Sequence, residues 1–196
     1  MAKVTGIVGI DPSITSLGFC RIAIHETKVK DEADYTYEWT AIKIDPKKGT
    51  QLTRILDVWR AVKLMTNNYD LVFIEDYAYG KPFKMAMLGE LGGILRLMLS
   101  RYSAFQLEAI PVPIGSWKKF LSGKGNLPKD EFKMQIYKRF GFECETNDEA
   151  AAIGIADFGA HLFLGQHIRD LTKYEKDAIK AWEKANPSIL QSLAKL

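Results

Sequence analysis

Cysteine is nearly absent from this chain of 196 residues: Cys20 and Cys144 are the only two, and neither stands in a CxxC pair. A disulfide framework is excluded, and a reducing, cytosolic setting is expected. Long apolar runs are lacking too. None approaches the roughly 18 residues needed to span a bilayer, so no membrane partner is expected. The opening Met1-Ala2-Lys3-Val4-Thr5-Gly6 has none of the basic, apolar and small-residue zones of a secretory signal. Low complexity, internal repeats and linker-like composition are missing, and 196 residues fit one main domain better than two. His25, His161 and His167 lack metal-ligand spacing and are expected at the surface or satisfied in the core. The remainder is ordinary for a globular protein, with 47% hydrophobic and 26% charged residues. A net charge of +3 permits nucleic acid as a partner without demanding it.

Hydrophobic patterning gives the order of elements. Val4 to Ile10 is a short apolar, β-branched run closed by Asp11-Pro12, which predicts a buried strand. Strands are expected again at Leu17 to Ile24, Tyr35 to Ile44, Asp70 to Glu75 and Phe105 to Val112. Helices are expected over Thr50 to Met65, Met85 to Leu99, Ile114 to Leu121, Pro128 to Phe140 and Asp148 to Leu164. The order βββαβαβ followed by helices describes an α/β domain: a meander of three strands, then crossover units adding strands in parallel. We assign this domain to residues 1–168. The charged, amphipathic segment 169–196 reads as a C-terminal helical extension of one or two surface helices.

Two acids share an unusual position. Asp11 ends the apolar run Ile7-Val8-Gly9-Ile10, and Glu75 ends Leu71-Val72-Phe73-Ile74. A charge at the end of a buried strand must be paired, hydrated or bound to metal. If the strands are neighbours, both carboxylates leave one edge of the sheet, an arrangement that suits a hard cation such as Mg²⁺. The plainer alternative is that each acid opens a turn. A third acidic locus, Thr146-Asn147-Asp148-Glu149, has capping-box spacing. Glu149 is expected to be structural, while Asp148 is either a first-turn acid suited to the helix dipole or a ligand.

Together these segments resemble the RuvC family of Holliday junction resolvases. Gly9-Ile10-Asp11-Pro12-Ser13-Ile14-Thr15-Ser16-Leu17-Gly18-Phe19 looks like the family's first motif and Ile74-Glu75 its second. Leu88-Gly89-Glu90-Leu91-Gly92-Gly93 is similar to the helix that follows. Gly123-Lys124-Gly125-Asn126-Leu127-Pro128-Lys129 matches the glycine-rich turn and lysine. Asn147-Asp148-Glu149-Ala150-Ala151-Ala152-Ile153-Gly154-Ile155-Ala156 resembles the final helix. The likeness runs from about Val4 to His161. It implies a ribonuclease-H-like fold with a mixed five-stranded sheet and flanking helices. It also implies paired nicking of four-way DNA by a homodimer, with two Mg²⁺ ions per active site for which Mn²⁺ can substitute. Four carboxylates would hold them; Asp11, Glu75 and Asp148 match three. The fourth position is Ala151, which cannot ligate. Either the natural protein lacks one ligand or the chain carries an inactivating change.

Lys118, Lys119, Lys124 and Lys129 surround the glycine turn and are candidate DNA-backbone contacts, against the alternative of a solvated lysine face. Tyr77 or Tyr79, just after Glu75, is the candidate aromatic for stacking on an unpaired base; a core or dimer contact is the other possibility. The small residues Gly89, Gly92 and Gly93 serve either a two-fold dimer or packing on the sheet. Competing functions are a non-catalytic junction-binding protein and a single-domain RNA-processing nuclease. A sugar-kinase or heat-shock type ATPase is also considered, because Gly9-Ile10-Asp11 with Ser13 and Thr15 resembles that superfamily's phosphate loop. That reading needs a second domain with its own loop, which is absent.

Overall fold

The computed structural model describes residues 3–26, 33–45, 47–76, 82–165 and 168–196. Its sheet holds five strands, β1 (Gly6–Asp11), β2 (Ser16–Glu26), β3 (Ala33–Lys43), β4 (Asp70–Glu75) and β5 (Ile110–Val112), in the order β3-β2-β1-β4-β5. The first three form an antiparallel meander, and β4 and β5 are added in parallel on the far side of β1. Parallel neighbours need a crossover, and α2 (Pro82–Tyr102) supplies it between β4 and β5. Helix α1 (Gln51–Met65) carries the chain from β3 to β4.

Side chains alternate across a strand, and that alternation divides the core in two. Ile7, Cys20, Ile22, Leu71 and Phe73 face one layer; Val8, Ile10, Leu17, Phe19, Val72 and Ile74 face the other. The second face is covered by α1 and α2 through Ile55, Val58, Leu91 and Leu95. The first is covered by α3 (Ile114–Ser122), α4 (Phe132–Phe140), α5 (Asn147–Leu164) and α6 (Lys173–Ala185). Helix α5 is the hub: every residue from Glu149 to His161 is buried. It lies so close to the sheet that a Cβ at Gly9 would stand 2.3 Å from the Ala152 carbonyl oxygen, and one at Gly18 2.0 Å from that of Asp148.

The C-terminal segment forms α6 and α7 (Pro187–Leu193). The sequence reads these as surface helices, yet Ala178, Ile179, Trp182 and Leu193 are buried in the same cluster as α5. The Trp182 indole donates to the Pro111 carbonyl at 3.3 Å. A buried ionic cluster adds to the attachment. Asp157, fully buried on α5, pairs with Arg139 at 3.0 Å and Arg169 at 3.2 Å, and His161 Nδ1 stands 3.2 Å from its Oδ1. Glu175 on α6 meets the same two arginines at 2.9 and 2.7 Å.

Three boundaries differ from expectation. Strand β5 is only three residues long, because the chain leaves α2 through a turn at Ser103 and Gln106 has a φ of +55°. Helix α2 begins at Pro82, before the expected Met85. The helix expected from Pro128 opens as a 3-10 turn, Lys129–Glu131, before α4.

Candidate metal and nucleic-acid site

Alternation also decides where the two strand-end acids point. Asp11 follows Ile7 and Gly9, and Glu75 follows Leu71 and Phe73, so both carboxylates fall on the face that α5 covers. They leave adjacent parallel strands one step beyond the Ile10–Ile74 pair. Asp11 stands opposite Gly18, over which the Asp148 carbonyl lies, so the first turn of α5 reaches the same spot. Asp11, Glu75, Asp148 and Lys129 line one cleft of about 560 Å³, together with Ser13 and Thr15. The Ser13 hydroxyl accepts from the Thr15 and Ser16 amides at 3.2 Å, which shapes the turn leaving β1. A larger groove of about 830 Å³, lined by Arg21, Arg60 and Lys63 among others, touches none of these acids.

Burial, and then repulsion from Glu75, push the Asp11 carboxyl well above its usual range, against the pull of Lys129. Glu75 is raised mainly by burial, opposed by a hydrogen bond from the Trp117 indole at 2.9 Å and by Lys118 and Lys129. The Lys129 ammonium contacts Asp148 Oδ1 at 2.6 Å. Burial works against the Lys129 charge, but the Asp148 hydrogen bond and the Asp11 charge outweigh it and raise its pKa. The cleft is therefore a concentration of negative charge only partly neutralised by lysine.

Oxygen donors on rigid strand ends are the chemistry a hard cation takes, and carboxylates lifted by burial and mutual repulsion favour a nearby positive charge. In donor type all three acids, and in electrostatics Asp11 and Glu75, fit Mg²⁺ or Mn²⁺. Among the described residues no three His, Cys, Asp or Glu side chains stand together as a ready-made metal cluster.

The other expected residues divide. Lys118 faces the acids and stands 5.0 Å over the Phe132 ring. Lys124 is exposed and Lys119 half-buried beside the glycine turn. Gly123 caps α3 with a φ of +79°, a left-handed conformation that explains this glycine by the turn alone. Tyr77, Tyr79 and His167 lie outside the described residues. Ala151 is buried in the α5 cluster and is not among the residues lining the cleft. Glu149 is structural: it completes the capping box with Thr146 and accepts from the Glu145, Thr146 and Ala41 amides. Sequence reasoning missed the Trp117 contact and the partners of Asp157. An aspartate inside an otherwise apolar helix was the available signal for the second.

The strand order, crossovers and helical cover define a ribonuclease-H-like fold, with strand-end carboxylates gathered under one helix. No family model matches the chain. It is 23% identical over 153 residues to the crossover junction endodeoxyribonuclease RuvC of a Synechococcus species, covering 76% of this chain and 93% of that protein. The RuvC structure of Thermus thermophilus superposes with a TM-score of 0.58 at 19% identity, covering 82% of this chain and 96% of the other. The same organism's RuvC in complex with Holliday junction substrate gives 0.59 at 21%, covering 78% and 90%. The chain is a distant relative of the RuvC family of Holliday junction resolvases.

Proposed function

We propose that this chain is a structure-selective endonuclease for four-way DNA junctions, acting as a homodimer through paired nicks on opposing strands. The observation that carries the reading is the placement of Asp11 and Glu75 side by side at strand ends, beneath Asp148, in a cleft flanked by Lys118 and Lys129. Asp11, Glu75 and Asp148 are the residues that would hold divalent cations. Bound Mg²⁺ would activate a water and stabilise the leaving oxygen of the cut phosphodiester. Lys129 keeps a positive charge at the mouth of the acidic cleft, where a phosphate must approach; Lys118, Lys119 and Lys124 extend that charge as backbone contacts. Tyr77 or Tyr79 would stack on an unpaired base.

Support for a dimer comes from α2. A Cβ at Gly93 would meet no atom within 4 Å among the described residues, and Leu97 is 54% exposed. The close approach that Gly93 allows is not used among the described residues, which supports a second copy against this face.

Ala151 stands where a fourth carboxylate is expected, so Mg²⁺-dependent cleavage of a synthetic four-way junction should be weak or absent in the chain as it is. Ala151→Asp should create or greatly raise it. No gain in that assay would overturn the missing-ligand reading. A second reading, a junction-binding protein without catalysis, is favoured by the same alanine. Tight binding in a gel shift, with no cleavage in Mg²⁺ or Mn²⁺ by either form, would establish it.

A further inference from the structure

Among the described residues, Glu75 Oε2 has one hydrogen-bond donor, the indole N–H of Trp117 at 2.9 Å, and Oε1 has none. The contact follows from topology. Glu75 pairs with Val112 in the β4–β5 register, and Trp117 lies five residues further on, in the first turns of α3. The indole is fully buried, with the Phe132 ring edge-on at 5.0 Å. Its other side meets α5 at Gly154, where a Cβ would stand 3.1 Å from Trp117 Cε3 and 3.4 Å from Cζ3. A larger residue there would force the ring to shift by a few tenths of an ångström and disturb its contact with Glu75. A buried indole N–H needs an acceptor; here the acceptor is a cleft carboxylate, not a backbone carbonyl.

We propose that Trp117 is a positioning residue for Glu75, its indole holding Oε2 so that Glu75 offers Oε1 to the cleft, with Gly154 making room for the ring. The inference rests on the reading of Glu75 as a metal ligand. Outer partners that fix the orientation of a ligating carboxylate typically carry 10–100-fold of metal affinity, and a carboxylate with one oxygen tied has fewer orientations to lose on binding.

The test is Mn²⁺ binding to the full chain by calorimetry, alongside melting temperature and circular dichroism. Trp117→Phe keeps a buried aromatic and removes the donor; Mn²⁺ binding should weaken about tenfold with the fold retained. Gly154→Ala, which shifts the ring without removing it, should weaken binding in the same direction by a smaller factor than Trp117→Phe. Phe120→Leu is the control for lost packing: this α3 ring faces Phe158 and His161 and touches no cleft acid, so it should lower stability and leave Mn²⁺ affinity unchanged. In spectra of the four tryptophan indole N–H groups, the one absent from Trp117→Phe should move when Mg²⁺ is added. A folded Trp117→Phe that binds Mn²⁺ as tightly as the unaltered chain overturns the proposal. Should that variant not fold, unchanged affinity in Gly154→Ala overturns it. Absence of Mn²⁺ binding by the unaltered chain instead removes the metal reading, and this inference with it.

Discussion

Asp11 is placed by strand alternation under α5, and burial there, with the Glu75 charge beside it, raises its carboxyl pKa well above the usual range. A carboxyl whose folded pKa exceeds its unfolded value of about 3.9 binds protons more tightly in the folded state. Its contribution to stability is therefore full at acid pH and lost as pH rises through the folded pKa. Asp11→Asn should melt higher than the unaltered chain at pH 7 in the presence of a chelator, by roughly 2–4 °C per kcal/mol of relief. The gap should close toward pH 4. Adding Mg²⁺ should raise the melting temperature of the unaltered chain more than that of the variant. Equal melting temperatures at pH 7 would contradict the electrostatic picture of the cleft.

Helix α5 meets the sheet with almost no clearance, and Gly18 is the tightest point. A Cβ there would overlap the Asp148 carbonyl, which is backbone and cannot rotate aside. Gly18→Ala should cost at least ~3 kcal/mol, or roughly 6–12 °C in melting temperature, and should disturb Asp148 more than Glu75. Thermal denaturation with Mn²⁺ titration would show both. At this scale the sequence was informative wherever the signal was local. The runs ending at Asp11 and Glu75 are apolar until their last residue, and the Thr146–Glu149 capping box is spelled within four positions. It was silent where partners are distant. Glu149 also accepts from Ala41, 108 positions away, and Trp117 reaches Glu75 across 42. Nothing near Gln106 in sequence signals its positive φ, so the sequence predicts a longer β5 than the structure holds. The strand-end acids were legible as a pair, whereas what holds each one in place required the tertiary structure.

Over the whole molecule, the ionic cluster around Asp157 ties α4, α5 and α6 into one body. Burial disfavours the Asp157 charge, but the His161 hydrogen bond and the two arginines outweigh it and lower its pKa; Glu175 is likewise lowered against burial, first by Arg169. Their sign is opposite to that of Asp11. A depressed folded pKa contributes stability that is present above the unfolded value near 4 and lost as pH falls through the folded value. Asp157→Asn leaves Arg139 and Arg169 with an incomplete set of partners and should cost about 3–5 kcal/mol at pH 7. That penalty should shrink below pH 4, as urea unfolding across pH would measure. A constant penalty would assign the effect to packing.

The union of α6 with the sheet has one more outcome. Pro111 is the middle residue of the three-residue strand β5, which ends the sheet, and proline has no amide hydrogen to offer. Its carbonyl, the matching acceptor, is already taken by the Trp182 indole. An extended peptide drifting along that border finds neither half of the ladder it would need to join. The sheet cannot grow from β5, so aggregation by strand addition is blocked on that side by one proline and one tryptophan 71 positions apart.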